Sequence, residues 1–280
     1  MSQNTSSDAR DRLAPRLASL RREGRRLLIP YITAGYPSPA HTLDLMRALV
    51  RAGADVIELG VPFSDPVADG PTIQRSSQRA LEHGVTLARV LDELRRFRAD
   101  GSDTPVVLFT YLNPILRYGP DRFVSDALAA GADGVLVTDL PAGADPALER
   151  LLDESALAHI RLVAPTTPPA RAREIARVSQ GFLYCISRLG VTGATLKLRA
   201  ELPAEIAALA AVARVPVAVG FGISTPEQAG EIGRIADGIV VGSALIDALD
   251  RGGVPAAESL LAGLRAGLDA APAASPRPQT

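Results

Sequence analysis

Two carboxylates stand where packing gives no reason for them. Glu58 interrupts the apolar run Val56, Ile57 and Leu59, and Asp69 follows in a loop, Gly60 to Gly70, that also holds Pro62, Asp65 and Pro66. An apolar run this short between turn signals reads as a parallel strand covered on both faces. Burying even a neutral polar group there without a partner costs roughly 2–7 kcal/mol, so Glu58 must meet a partner or a polar cavity at a strand end. Two prolines fix φ in the loop and glycine permits its turns, which holds Asp69 stiffly near the first acid. Taken singly, a strand-end glutamate is more often salt-bridged or water-facing than catalytic; the rigid acid-bearing loop beside it brings a functional reading level with that one. A partly desolvated glutamate with a raised pKa can shuttle protons, while an aspartate that stays ionised in a polar loop opposes a developing positive charge.

Such a pair needs a scaffold, and the rest of the chain supplies a regular one. Apolar strands are expected from Leu27 to Thr33, around Glu58, and at Pro105–Tyr111, Gly134–Thr138, Ile160–Ala164, Gly181–Ser187, Pro216–Gly220 and Ile239–Gly242. Helix-sized segments separate them. Pro39 to Ala52 closes at Gly53, while Thr72–Glu82 and Thr86–Ala99 form two helical patterns broken at Gly84, which makes the second crossover the longest. Eight βα units describe an α/β fold, a (βα)8 TIM barrel, as a single domain over residues 1–280. A doubly wound sheet is the runner-up, but TAGYPSP follows the first strand where a dinucleotide fold has GxGxxG. Asp11–Arg22 reads as a basic amphipathic helix added before the first strand, with Leu13, Leu17 and Leu20 placed to cover one end of the barrel. Residues 1–10 and the Pro-rich 271–280 are expected to be disordered tails.

A barrel of this kind carries its site at the C-terminal strand ends. Tyr31 and Thr33 end strand one, Phe109, Tyr111 and Asn113 strand three, Asp139 strand four, and Tyr184 and Ser187 strand six. Glycine turns follow the last strands: Gly190 to Gly193, Gly220 to Gly222 around Phe221, and Gly242 with Ser243, which opens a helix. Glycine lets backbone N–H groups approach an anion and a helix N-terminus favours negative charge, so these turns suit a phosphate; tight βα turns with no ligand have the same composition. Thr225, Pro226 and Gln228 form a capping box instead. Arg188 and Thr192 lie in a Gly-bearing loop that is either a lid or plain surface.

Composition narrows the partners. Lys+Arg at 30 against Asp+Glu at 31 leaves a net charge of −1, which recommends neither nucleic acid nor an anionic membrane. The single cysteine, Cys185, excludes an internal disulfide, and His41, His83 and His159 fall on helices or their ends with no metal-binding spacing, so no metal is expected. Lys197 is the one lysine and follows a Gly-rich turn, which disfavours Schiff-base chemistry. No signal peptide or membrane span is indicated.

The string ELGVPFSDPVADGPTIQ, followed in order by TYLNPI, DGVLVTDLP, SRLGVTG, VGFGIST and DGIVVGSA and preceded by YITAGYP, resembles the tryptophan synthase α subunit over nearly the whole chain. That resemblance implies a cofactor-free lyase cleaving indole-3-glycerol phosphate to indole and glyceraldehyde 3-phosphate. It implies Glu58 as catalytic acid/base, Asp69 as the acceptor of the indole N–H, and Tyr31, Phe109 and Phe221 as indole-pocket residues. Tyr184 and Thr192 match residues that position the two acids, and Gly193, Gly222, Gly242 and Ser243 match phosphate-binding positions. It also implies a β subunit partner in an α2β2 heterotetramer, and a cytoplasmic setting. Two departures stand out: Ala142, Gly143 and Ala144 replace the acidic residues usual after the DLP turn, and Leu189 stands where a small residue is usual. A free-standing indole-forming lyase and a catalytically idle phosphate- or partner-binding barrel remain the alternatives.

Overall fold

The computed structural model describes residues 11–186, 190–192, 195–197, 200–220 and 222–271. Eight parallel strands close into a barrel: β1 (Leu27–Thr33), β2 (Ile57–Gly60), β3 (Val106–Thr110), β4 (Gly134–Val137), β5 (Ala158–Val163), β6 (Leu183–Ile186), β9 (Val217–Gly220) and β10 (Gly238–Val241), with β10 hydrogen-bonded back to β1. A small antiparallel pair, β7 (Gly190–Thr192) and β8 (Thr195–Lys197), stands between β6 and β9. The segment read as a Gly-bearing loop is thus a short hairpin over those residues; the tails, 1–10 and 272–280, together with Arg188 and Leu189, lie outside the described residues.

The helices are α1 (Leu13–Glu23), α2 (Thr42–Arg51), α3 (Pro71–Glu82), α4 (Leu87–Ala99), α5 (Leu112–Tyr118), α6 (Pro120–Ala130), α7 (Pro146–Asp153), α8 (Pro169–Val178), α9 (Leu202–Ala210), α10 (Pro226–Gly233) and α11 (Ser243–Asp269). Pro39–His41 forms one 3-10 turn, so the helix expected from Pro39 begins as α only at Thr42. The helix opened by Ser243 runs 27 residues and breaks at Gly252 and Gly253, whose φ/ψ are not helical. His159 is not on a helix. It sits in β5, buried between the strand and α7, with Nδ1 2.7 Å from the Asp153 carboxylate, and its strand starts at Ala158, two residues before the expected position. A polar residue facing outward toward a helix breaks the apolar pattern that marks a strand, so the start was hidden.

Two apolar layers follow from the period of two along each strand. One set of residues packs outward against the helices; the other, including Ile29, Val56, Val107, Leu136, Ile160, Phe182, Ala218 and Val240, fills the barrel. Leu13 and Leu20 of α1 join that inner cluster and plug its N-terminal end.

The same end is tied by a repeated device. Asp55, Asp133 and Asp237 each precede a strand, and each accepts a hydrogen bond from a backbone N–H of the preceding neighbour strand: Leu28 at 2.8 Å, Val106 at 2.8 Å and Val217 at 2.7 Å. Gln180 does the same for His159 at 3.0 Å, so four of the eight adjacent strand pairs carry one such side-chain staple. Arg265 of α11 and Arg16 of α1 pair with Asp55, and Arg98 and Arg12 with Asp133, which anchors helices to the staples.

Candidate active site

Moving two residues along each strand from the inner apolar cluster gives the layer above it. That step takes Ile29 to Tyr31, Val56 to Glu58, Val107 to Phe109, Phe182 to Tyr184, Ala218 to Gly220 and Val240 to Gly242. Strand periodicity alone therefore sends these side chains into one chamber. Tyr31, Glu58, Asp69, Ile73, Phe109, Tyr184, Gly222, Val240, Gly242 and Ser243 line a pocket there. Two glycines make room for the rings: a Cβ on Gly60 would collide with the Tyr31 hydroxyl, and one on Gly220 with the Tyr184 hydroxyl. Tyr31 and Phe109 meet edge to face with centroids 5.0 Å apart, an aromatic wall suited to a flat ligand.

Glu58 is fully buried, and among the described residues neither carboxylate oxygen has a hydrogen-bond partner. Burial alone pushes its carboxyl up to about 8. Asp69 behaves differently. Tyr111 donates its hydroxyl proton to Asp69 Oδ2 at 2.9 Å while accepting from the Ala68 N–H at 3.1 Å, and Gln74 Nε2 donates to the Asp69 carbonyl at 2.9 Å. Burial pushes Asp69 up to about 6 even against the Tyr111 hydrogen bond, so its surroundings are drier than a polar loop suggests. The two acids thus differ in the state they hold near neutrality: Glu58 mostly protonated, Asp69 mostly ionised. Burial, and the nearby carboxylates, keep Tyr184 protonated well beyond its ordinary range.

At the other end of the pocket, Gly242 caps α11 and Ser243 is its first residue. No side chain caps this helix, whereas Thr225 and Gln228 do form the expected capping box on α10. The first N–H groups of α11 therefore keep their capacity for an anion. Gly222 has φ +51° and open space where a Cβ would stand, so its backbone faces the pocket uncovered.

Of the residues singled out in the sequence, Tyr31, Glu58, Asp69, Phe109, Tyr184, Gly222, Gly242 and Ser243 come together in this one pocket. Gly193 and Phe221 lie outside the described residues, and of Thr192 only the backbone, in β7, is described. Asp139 does not line the pocket; it accepts the Leu112 N–H at 2.6 Å and fixes the start of α5. Tyr111, as the donor to Asp69, had no role assigned from sequence, although it continues the inward series Val107, Phe109. Ile73 gave no signal beyond its place in an amphipathic helix.

The profile of the family described as tryptophan synthase alpha chain matches residues 17–265. This chain belongs to the tryptophan synthase alpha chain family. The tryptophan synthase alpha chain of Laribacter hongkongensis is 50% identical over 263 residues, covering 93% of this chain and 100% of that protein. That of Burkholderia multivorans is 47% identical over 264 residues, covering 93% and 97%. The crystal structure of tryptophan synthase subunit alpha from Legionella pneumophila superposes with a TM-score of 0.85 at 40% identity, covering 93% of this chain and 99% of that one. Membership in the tryptophan synthase alpha chain family accounts for the closed eight-stranded barrel.

Proposed function

We propose that the chain is the lyase of the α reaction, splitting indole-3-glycerol phosphate into indole and glyceraldehyde 3-phosphate. The observation that carries this reading is the pairing of a fully buried, unpartnered Glu58 with a hydrogen-bonded Asp69 in a pocket that ends at an uncapped helix. Glu58, protonated near neutrality, gives its proton to indole C3. Positive charge then spreads to the ring nitrogen, where the Asp69 carboxylate accepts the N–H. Glu58, now ionised, removes the proton of the hydroxyl on the adjacent glycerol carbon. The O–H electrons form the aldehyde, the bond from that carbon to C3 breaks, and its electrons return to the ring and cancel the charge. The net transfer is one proton from hydroxyl to C3, and Glu58 ends as it began.

Tyr31 and Phe109 together form one wall against the indole, with Phe221 as a further wall, and Tyr184 and Thr192 position the acids. Gly222, Gly242, Ser243 and Gly193 hold the phosphate, binding energy placed away from the breaking bond. The whole chain works as one barrel unit, and among the described residues no helix is long and apolar enough to cross a membrane; a cytoplasmic setting suits its substrate.

The reading includes a β subunit as partner in an α2β2 assembly. Val67, 82% exposed on the loop after β2 that carries Asp69, and Leu116, 48% exposed on α5 after β3, put apolar surface on that loop and on the segment after β3. A partner seated there would set the position of Asp69, and about 1.4 kcal/mol of better transition-state alignment gives about tenfold in rate. The primary test is indole release from purified chain supplied with indole-3-glycerol phosphate, with Glu58→Gln expected to lose at least ~10²-fold in turnover. Titrating in a β subunit should add ~10-fold or more, and Pro62→Leu should weaken both docking and gain. Absence of indole release with and without a β subunit would leave only a binding barrel.

A further inference from the structure

Outside the pocket, a cluster of polar side chains ties the two ends of the site together. Asp69 stands two residues before α3, and Gln74 of that helix donates to its carbonyl, so the acid is built onto the start of α3. Ser243 opens α11, but the break at Gly252 and Gly253 sets residues 243–251 apart from the rest of that helix. This segment, whose N-terminus ends the pocket, meets α3 on two sides. On the pocket side, Ile73 Cδ1 lies 3.7 Å from where a Cβ on Gly242 would stand. On the outer side, Arg75 Nη2 donates to Asp250 Oδ2 at 2.9 Å and lies 3.6 Å from Asp247 Oδ1, while Thr72 donates to Asp247 at 3.4 Å. Tyr36, buried in the turn after β1, donates its hydroxyl to the other Asp250 oxygen.

The reaction scheme above does not use this cluster, yet the cluster fixes a length. Leu245, Ile246 and Leu249 seat the segment on the core, but apolar burial is not directional and leaves its position along the barrel wall open. The interrupted helix at the two glycines does not dictate that position either. The polar ties do. Asp247 and Asp250 stand one turn apart on one face, where like charges repel. Arg75 lies against both and holds that face to α3, and Tyr36 holds it to the turn after β1. In the proposed reaction the indole nitrogen sits at Asp69 and the phosphate at the start of this segment. Building on that reading, we propose that Arg75, Asp247 and Asp250 are positioning residues that set the span between the phosphate turns and Asp69, and so select the length of the linker between indole and phosphate. The three side chains are 54%, 43% and 34% exposed, so solvent screening keeps the effect to a few-fold.

The test uses two phosphate esters that differ by one methylene, 3-(indol-3-yl)propyl phosphate and its butyl homologue, with binding to the full chain read by calorimetry. The propyl linker has as many carbons as the glycerol unit, so the wild type should bind that ester more tightly. In Arg75→Ala the preference should fall about fivefold, while the affinities for glycerol phosphate alone and for indole alone stay at their wild-type values. One guanidinium nitrogen serves both aspartates, so the point charge of Arg75→Lys should keep the preference. Asp250→Asn leaves Tyr36 an acceptor but takes the nearer charge from Arg75, and should repeat the Arg75→Ala result. Loss of affinity for every ligand in proportion would give the cluster a purely structural role and overturn the proposal. A wild type without the preference would overturn it as well, as would an Arg75→Ala chain that keeps it. Since binding is read without turnover, failure of the lyase reading shows separately, as absence of indole release from a wild type that discriminates between the two esters.

Discussion

Glu58→Gln should gain stability relative to the wild type as pH rises. The side chain is fully buried and, among the described residues, has no hydrogen-bond partner, and burial carries its carboxyl from the ordinary 4.5 to about 8. Between those values the folded chain binds a proton that the unfolded chain has released, so stability falls as pH rises through this window. At about 1.4 kcal/mol for each pH unit, the gap amounts to about 5 kcal/mol once pH exceeds 8, and under about 1 kcal/mol at pH 5. Glutamine keeps the volume and has no charge to release. Whatever its amide costs in the pocket is the same at both pH values, and every other titrating group cancels in the difference between the two proteins. Urea unfolding of wild type and Glu58→Gln at pH 5 and pH 9, with unchanged m-values, reads that difference. The variant should gain several kcal/mol on the wild type between the two pH values. Equal gains at pH 5 and pH 9 would refute the assignment of Glu58 as a desolvated acid, whatever the variant did to activity.

Three further outcomes follow from the same geometry. Tyr111→Phe removes the donor that favours ionised Asp69, so the acid limb of activity should move up by about one pH unit, the loss being largest between pH 6 and 7 and receding by pH 8.5; a uniform loss at every pH would assign Tyr111 a packing role only. Gly222→Asp should weaken glycerol phosphate binding far more than Gly222→Ala, since both carry the strain of φ +51° and only one brings a charge; equal affinities by calorimetry would place the phosphate elsewhere. Asp55→Ala strips Arg265 and Arg16 of a buried partner and the Leu28 N–H of its acceptor, and should cost about 3–5 kcal/mol in urea unfolding while the kcat of the surviving folded fraction stays near wild type.

Much of this barrel was legible because its strands are short apolar runs bounded by turn residues. Leu27–Thr33 is found with both ends correct, since Gly24 before it and the Gly35–Pro37 turn after it leave no other reading. Glu58 was legible for the opposite reason: it violates the apolar pattern, and a violation inside a buried strand has to be compensated or used. Other features lacked such a local mark. His159 reads as a helix or helix-end residue until the fold supplies Asp153 and Gln180 as its partners. Tyr111 finds Asp69 across 42 residues of chain, a contact that no local pattern encodes. The four staples left a trace that is visible only in retrospect: Ala-Asp stands before β2, β4 and β10, and the fourth position holds Gln180, which hides the repeat.

Asp55 and Glu58 stand three residues apart on one strand segment, and both are fully buried. Burial raises the pKa of each carboxyl, yet their surroundings answer it in opposite ways. Asp55 is met by a backbone N–H and two guanidinium groups, and its charge becomes part of what holds α1 and α11 to the barrel. Glu58 shares its pocket with two tyrosines and a phenylalanine, and among the described residues none of them hydrogen-bonds it. The layer of Ile29, Val56, Val107, Phe182, Ala218 and Val240 between the two ends keeps the arginines of the first from screening the second. A guanidinium brought across that layer would pull the Glu58 pKa down and remove the proton the reaction needs. The apolar middle of the barrel is therefore part of the acid's chemistry as well as of the fold's stability: it separates a floor where carboxylates are neutralised from a mouth where one is kept uncompensated.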